Sequence, residues 1–201
     1  MKLYYSPGAC SLATRISLHE AGIPADYERV NLKAKVTDNG ADYLAINPAG
    51  SVPMLVLDDG EAVTENVAIL TLLAEMAPSL GNDGRMGEIR LIEILSFLST
   101  ELHAAFKPYF HGAEGEALVA ARDAVARRLE LISNAMRGPY LFGAHFTVAD
   151  AYLFVMLRWA KGFNLPLPAP LAELFDRVAA RETVRQSIEE EELPSPVLAA
   201  E

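Results

Sequence analysis

The sequence predicts two domains of different classes, an α/β domain over residues 1–78 and an all-helical domain over residues 87–201. Short apolar runs that are typical of strands alternate with helical patterns only before Pro78. After Pro78 the strand pattern disappears, and apolar residues recur at helical spacing. Residues 79–86 are rich in glycine and polar side chains, so we interpret them as the linker between the domains.

The predicted elements of the first domain follow in the order β-α-β-(α)-β-β-α. A strand at "KLYYS" ends at Pro7 and Gly8, and the next helix keeps its apolar spacing up to Gly22. The remaining elements are a strand at "ADYERVNL", a short helix or irregular stretch at "DNGADYLAINPAG", a β-hairpin at "VPMLVLDDGEAVT" and a helix at "ENVAILTLLAEMAP". We expect the two longer helices to cover a small mixed sheet.

The second domain shows helical patterns only. Three helices are predicted in "EIRLIEILSFLSTELHAAF", "EALVAARDAVARRLELISNAM" and "LAELFDRVAARETVRQSI". A fourth, "FTVADAYLFVMLRWA", is apolar on all sides, so we expect it at the buried centre of the domain. We interpret the acidic run from Glu189 to Glu192 as a solvated helix end without a function of its own.

Charge and composition exclude several classes of function. The net charge is −10, and residues 1–80 carry 5 of the 17 basic and 10 of the 27 acidic side chains. Neither half is therefore basic enough to attract nucleic-acid phosphates. The sequence shows no signal peptide and no apolar run long enough to span a membrane. We expect a cytoplasmic protein that binds neither nucleic acid nor a membrane.

Cys10 is the only cysteine, which excludes an internal disulfide and a cysteine-rich metal site. Ala13 stands where a CxxC motif has its second cysteine, so redox chemistry at Cys10 needs a thiol from another molecule. At the first turn of a helix, free N–H groups are expected to lower the pKa of the Cys10 thiol. The alternative is that Cys10 is a small buried apolar residue. The hydroxyl of Ser11 is a possible support for the thiol.

Two further segments suggest a site for a small peptide. Pro53 begins a strand either as an ordinary trans proline or as a cis proline, and the cis form would leave the Val52 backbone free to pair with an extended ligand. Glu65 and Asn66 begin a helix, where they either cap it or bind an amino-acid head group. Lys35 is either a partner for a second carboxylate or simply a solvated side chain.

A polar stripe runs along the first long helix of the second domain. Its members are three or four residues apart: Ser96, Ser99, Thr100, His103 and Lys107. Such a stripe faces either water or a cleft. His19, His111 and His145 show no comparable grouping.

Five stretches together match one family: "MKLYYSPGACSLATRISLHEAG", "GADYLAINPAGSVPMLVLDDGEAVTE", "AILTLLAE", "TELHAAFKPYF" and "FTVADAYLFVMLRWA". Through them the chain resembles the bacterial beta-class glutathione S-transferases over essentially its whole length. The resemblance implies a thioredoxin-like N-terminal domain, an all-helical C-terminal domain and a homodimer. It also implies glutathione as co-substrate in the cleft between the domains, with no permanently bound cofactor.

The resemblance also implies roles for residues at matching positions. Cys10 would face the glutathione sulfur, Val52 before cis-Pro53 would pair with the ligand backbone, and Glu65 with Asn66 would bind the γ-glutamyl group. The other implied contacts are Lys35 to the glycyl carboxylate, Ser96, Thr100 and His103 along the cleft, and a capping box formed by Thr147 and Asp150.

Three positions depart from the family pattern. Asn66 replaces the usual serine, Ser96 stands where asparagine is frequent, and Ala104 replaces a lysine that commonly follows the histidine. Loss of that lysine removes a positive charge near the cleft, which would weaken glutathione binding or thiolate stabilisation.

The implied function is a transferase that directs the glutathione thiolate at a small hydrophobic electrophile in a pocket formed largely by the helical domain. Cys10 would either hydrogen-bond the glutathione sulfur or form a mixed disulfide with it, which would add thiol-transferase or peroxidase activity. His103 would act as a donor or a general base. The alternative is a non-catalytic protein that binds glutathione or hydrophobic ligands and keeps only the fold.

Overall fold

The computed structural model describes residues 1–195, so residues 196–201 of the predicted helical domain lie outside the described residues. A five-stranded sheet forms the first part of the chain, in the order β3-β2-β1-β4-β5. Its strands are β1 (Lys2–Tyr5), β2 (Asp26–Asn31), β3 (Val36–Thr37), β4 (Met54–Val56) and β5 (Ala62–Thr64). Only β1 and β2 are parallel, which makes the sheet mixed, as predicted.

Three helices accompany these strands. They are α1 (Ser11–Ala21), the single turn α2 (Tyr43–Ile46) and α3 (Asn66–Met76), followed by a 3₁₀ turn at Pro78–Leu80. Helices α1 and α2 lie between strands along the chain, and α3 follows β5. Helices α1 and α3 pack against each other and bury apolar residues such as Leu12 and Ile69 beneath Leu3 of β1. Gly22 ends α1 in the left-handed conformation, with φ of 63°, which explains why the helical pattern stops there.

The rest of the described chain is helical. Its elements are α4 (Gly87–Phe97), a π-helical segment at Leu98–His103, α5 (Ala104–Phe110), α6 (Gly115–Ala135), α7 (Val148–Gly162), α8 (Ala169–Ala179) and α9 (Glu182–Glu190). The sequence predicts α4, the π segment and α5 as one uninterrupted helix. The π segment makes wider i→i+5 turns, and this changes which side chains face the cleft.

Helix α7 is the buried centre of the second domain, as its apolar sequence predicts. Its N-terminus carries the capping box of Thr147 and Asp150 that the resemblance implies. Helix α1 packs against α7 and α9, so one continuous apolar core joins both parts of the molecule. In residues 1–195 we find no helix with the length and apolar character needed to cross a bilayer.

Candidate active site

Two adjoining cavities lie where the sheet domain meets α7 and the π segment. Their volumes are about 330 Å³ and about 550 Å³. Both are lined by Cys10, Ser51, Val52 and His103. The smaller, polar cavity is completed by Pro53, Glu65, Asn66, Ser99, Lys107 and Tyr152. The larger cavity continues past the loop at residues 6–9 to Leu32, Lys35, Gly50, Phe110, His111 and Trp159.

Cys10 lies immediately before α1, at the boundary of the two cavities. Its S–H donates to the carbonyl oxygen of Val52 across 3.5 Å. Burial raises the pKa of Cys10 to about 12, because desolvation outweighs the backbone N–H groups of Cys10 and Ser11. The prediction of a lowered pKa is therefore wrong. The start of α1 supplies backbone N–H donors, but the surrounding protein removes water from the thiol, and this desolvation favours its neutral form.

Ser11 does not support the thiol. Its side chain is fully buried, and its hydroxyl oxygen exchanges hydrogen bonds with the backbone N–H and C=O of Ser6 at 3.2 and 3.3 Å. It lines neither cavity. The Ser11 hydroxyl is therefore held by the Ser6 backbone and not directed at the Cys10 thiol.

The segments on either side of β4 and β5 bring the second group of predicted residues to the polar cavity. The Val52–Pro53 peptide is cis, and both residues are buried in the cavity wall. Glu65 has a φ of 66°, which costs a residue with a side chain about 1–3 kcal/mol. Its carboxylate caps no N–H group of α3, so it is left to the cavity rather than to the helix.

Asn66 follows at the start of α3, and its amide links two helices. Its Nδ2 donates to the carbonyl oxygen of Cys10 at 3.1 Å, and its Oδ1 accepts from the Thr14 hydroxyl at 2.9 Å. A carbonyl oxygen can only accept, so this contact fixes which way the amide points. The serine that is usual in the family at this position has one hydrogen to donate, whereas the Asn66 amide has two.

Lys35 lines only the larger cavity. Its Nζ donates to the carbonyl oxygen of Gly50 at 2.7 Å, which holds the ammonium at the rim near Ser51. The backbone of Lys35 is left-handed, with φ of 58°, at the turn between β2 and β3. The structure therefore brings Lys35 within the same cleft as Cys10, although not into the polar cavity itself.

The polar stripe on the second domain divides into two parts. Ser99, His103 and Lys107 line the polar cavity. Ser96 and Thr100 line neither cavity, and the Thr100 hydroxyl donates to the carbonyl oxygen of Ser96 at 2.9 Å. The π segment takes up one additional residue, which rotates the positions before it relative to those after it. The predicted contact of Ser96 and Thr100 with glutathione stays a prediction that this single chain does not support.

His103 is held between two aromatic residues of α7. Its Nδ1 lies 3.2 Å from the Tyr152 hydroxyl, and its ring centroid lies 4.9 Å from that of Trp159. Burial lowers the pKa of His103, and the ammonium of Lys107 lowers it further. The imidazole is therefore neutral at physiological pH. Lys107 also returns a positive charge to the cavity, one turn beyond the alanine at position 104.

The cavities are also lined by ring-bearing side chains that were not predicted as site residues from the sequence: Tyr152, Trp159, Phe110 and His111. The first two occur in the stretch "VADAYLFVMLRWA", where an all-apolar pattern indicates only burial. The polar atoms of Tyr152 and Trp159 could have indicated a site, because a buried tyrosine hydroxyl or tryptophan N–H needs a hydrogen-bond partner.

The loop before Cys10 is fixed by the second domain. The Gly8 carbonyl oxygen accepts from Nε1 of Trp159, and the Gly8 N–H donates to Oε2 of Glu191, both at 2.8 Å. Glu191 is 3% exposed, and its Oε1 lies 3.2 Å from Nε of buried Arg15, with poor alignment for a hydrogen bond. The prediction that residues 189–192 are solvated without a function is wrong for Glu191. The charge run conceals one carboxylate that faces inward.

Known proteins resemble this chain over nearly its whole length. The family models described as glutathione S-transferase N-terminal domain and C-terminal domain match residues 8–76 and 87–180. The glutathione S-transferase GstA of Escherichia coli O157:H7 is 39% identical over 200 residues, which are 96% of this chain and 100% of that protein. The solved ternary complex of BphK, a bacterial GST, is 42% identical with a TM-score of 0.90, over 96% of this chain and 100% of that one. A beta class glutathione S-transferase from Sphingomonas chungbukensis is 40% identical with a TM-score of 0.87, over the same shares. The chain therefore belongs to the glutathione S-transferase family, as its resemblance to the beta class predicts.

Proposed function

We propose that this glutathione S-transferase binds glutathione in the polar cavity, with its glycyl end at the rim of the larger cavity, and directs its thiolate sulfur to attack a hydrophobic electrophile held in the larger cavity. The observation that carries this proposal is the position of Cys10 and His103 on the wall that both cavities share. A sulfur placed there is within reach of both residues and of a second molecule on the other side. Catalysis then consists of holding the thiolate and orienting the electrophile.

Glutathione would lie with its γ-glutamyl group toward α3. The exposed carboxylate of Glu65 suits its ammonium, and the N-terminus of α3 at Asn66 suits its carboxylate. The Val52 backbone would pair with the cysteinyl residue. Lys35, at the rim, would meet the glycyl carboxylate after giving up its bond to Gly50.

The electrophile would lie against an aromatic wall. Phe110 and Trp159 line the larger cavity, and their ring centroids are 5.1 Å apart in an edge-to-face arrangement. Leu32 and Pro7 add further apolar surface to the same cavity. Such a wall supports binding of a flat or hydrophobic molecule by burial of apolar area.

Cys10 would act in conjugation as a neutral thiol. Because burial raises the pKa of Cys10 to about 12, its thiol stays protonated in the free enzyme at neutral pH. A neutral S–H can turn from Val52 and donate to the glutathione thiolate. The competing proposal is attack by the Cys10 thiolate on oxidised glutathione, which forms a mixed disulfide and releases one reduced glutathione. The raised pKa favours the first role.

The test compares the wild type with Cys10→Ser after incubation with oxidised glutathione, using intact-protein mass spectrometry and a conjugation assay. We expect no adduct on the wild type at pH 7, and conjugation that falls about tenfold or less in Cys10→Ser because the serine hydroxyl still donates. A reductant-reversible adduct on the wild type alone would assign thiol transfer to Cys10. Normal glutathione binding without turnover in the wild type would support the non-catalytic alternative.

Lys107 is expected to replace the positive charge that the family has at position 104. Lys107→Met should raise KM for glutathione about two- to fivefold, because the exposed ammonium attracts a ligand with net negative charge. It should also raise the pKa of His103, since Lys107 is one of the two causes that lower it. Initial rates and an NMR pH titration of His103 measure both effects. Arg127→Met, an exposed change on α6, is the matched control, and equal KM values in the two variants would contradict the assignment.

We also propose a homodimer and a cytoplasmic location, which are supported by the family resemblance. The proposed boundary between the domains lies within residues 79–86. Sedimentation equilibrium of the purified protein tests the dimer directly.

A further inference from the structure

The Tyr152 hydroxyl lies in the candidate active site but has no role in the proposed chemistry. The side chain is 1% exposed, yet it lines the polar cavity together with Cys10, Glu65 and His103. A buried phenol hydroxyl needs hydrogen-bond partners. The Nδ1 atom of His103, at 3.2 Å, is one of them, and the two rings meet nearly edge to face at 82°.

Polar side chains from two other elements line the same cavity beside Tyr152: Asn66 at the start of α3 and Ser99 of the π segment. Burial raises the pKa of Tyr152, and hydrogen bonding to these two side chains opposes that rise. The net shift is upward, so Tyr152 is a neutral hydroxyl at neutral pH. A neutral phenol has a single hydrogen to donate.

The direction of these hydrogen bonds can be followed from a fixed starting point. The Cys10 carbonyl oxygen only accepts, so it faces the Nδ2 group of Asn66, at 3.1 Å. That group carries two hydrogens, and the second is free to point at the phenol oxygen of Tyr152. The phenol accepts there, and when the Ser99 hydroxyl also donates to it, the single phenol hydrogen is left for His103.

We infer that Tyr152 is a positioning residue whose hydroxyl donates to Nδ1 of His103 and so keeps the proton of the neutral imidazole on Nε2. Within residues 1–195, Nδ1 carries the one hydrogen bond of this side chain, and Nε2 remains available for a ligand. A histidine fixed in this tautomer donates a hydrogen bond from Nε2. Where this inference rests on the proposed function, it makes His103 a donor to the glutathione sulfur and not a base.

Asn66 acquires a role in the same network. The asparagine is the link between the Cys10 backbone and Tyr152, so its departure from the family's usual serine is part of how this chain sets the tautomer of His103. Thr14 holds the other end of the amide, at 2.9 Å.

The first experiment measures the tautomer directly by NMR of protein labelled with ¹⁵N histidine, without substrate. The signals of His103 are identified among those of the four histidines by their absence in a His103→Gln variant. We expect the wild type to show a protonated Nε2 and an unprotonated Nδ1 at neutral pH. Tyr152→Phe, which removes only one oxygen atom, should produce a mixture of tautomers. A protonated Nδ1 in the wild type, or an unchanged tautomer in Tyr152→Phe, would overturn the inference.

A second variant approaches the network from its other end. In Asn66→Asp the new side chain carries at most one hydrogen, which the Cys10 carbonyl would take, so none remains for Tyr152. The Tyr152 hydroxyl can then donate to an oxygen of the new carboxyl group, whether that group is protonated or ionised. We expect the His103 tautomer to become mixed again, and a wild-type spectrum would contradict the proposed direction.

Kinetics separate this inference from the proposed function. Tyr152→Phe should lower kcat for conjugation about tenfold while KM for glutathione changes less than about twofold. Tyr140→Phe removes another buried tyrosyl hydroxyl, one that accepts from Arg181, and serves as the control with unchanged kcat. If the wild type has the predicted tautomer but no conjugating activity, the proposed function fails and the network stands. If the wild type is active and the tautomer is wrong, only the network fails.

Discussion

Replacing Asp150 with alanine is expected to lower the free energy of unfolding by about 3–5 kcal/mol. The carboxylate is fully buried at the start of α7 and accepts three hydrogens, from the Leu141 N–H at 2.9 Å and from the Thr147 N–H and hydroxyl at 2.8 and 2.7 Å. Alanine leaves all three donors buried without partners. Because α7 is the centre of the core, the loss affects the whole molecule.

Denaturant unfolding monitored by circular dichroism measures this loss. The exposed Asp176 on α8 provides the control, since Asp176→Ala should change stability by less than about 0.5 kcal/mol. Thr147→Val removes one of the three donors and is expected to cost about 1 kcal/mol. Equal effects for Asp150→Ala and Asp176→Ala would show that the capping box does not stabilise the fold.

Arg15→Met is expected to cost a similar amount, about 3–5 kcal/mol. Arg15 is 2% exposed, and its guanidinium lies 4.3 and 3.9 Å from the ring centroids of Tyr5 and Tyr27. It also forms ion pairs with Glu190 at 2.7 Å and with Glu191 at 3.2 Å. Methionine fills part of the volume between the rings but leaves the buried Glu191 without its cation.

The cost of Arg15→Met should depend on pH. Burial raises the pKa of Glu191 from the ordinary value of 4.5 to about 7. Folding therefore favours its protonated form, and this contribution to stability is present below pH 4.5 and lost as the pH rises through about 7. Removing Arg15 raises that pKa further, so the variant keeps losing stability above pH 7, where the wild type has stopped.

Unfolding measurements below and above pH 7 test this dependence. The difference between the wild type and Arg15→Met should be larger on the alkaline side. Arg15→Lys keeps the positive charge and should therefore be less destabilised than Arg15→Met. The control variant Arg127→Met, on the exposed face of α6, should show the same dependence of stability on pH as the wild type. A cost that is the same at every pH would mean that Glu191 is already fully ionised or fully solvated.

The sequence was sufficient for most of the fold. Regular apolar spacing predicts α1, α3 and the long helices, and the Asp-Gly turn predicts the hairpin of β4 and β5, because these signals are local and strong. The two-residue strand β3 was missed, since Val36 and Thr37 are too few for any alternation. The π segment was missed because its residues have ordinary helical propensity and the additional residue in each turn leaves no periodic signature.

The site was less predictable than the fold. Cys10, Val52, Glu65 and Asn66 do meet at one cavity, as the family motifs imply. The sequence predicts a pKa shift of Cys10 in the wrong direction. A helix start is visible in a sequence, whereas desolvation by side chains far along the chain is not. Glu191 and Tyr152 were missed for a related reason. The residues that contact them belong to elements far away along the chain, so no local sequence pattern predicts their polar partners.

The double attachment of Gly8 bears on how this molecule could be recombined. Its carbonyl is held by Trp159 and its N–H by Glu191, and both partners belong to the second half of the chain. A chimera joined within residues 79–86 would inherit the cysteine loop from one parent and both of its supports from the other. Such a hybrid keeps the loop in place only if the donor of the helical half carries an indole and a carboxylate at these two positions. The two halves are therefore separate structural units, yet exchanging one of them between relatives requires that the residues at positions 159 and 191 match the cysteine loop.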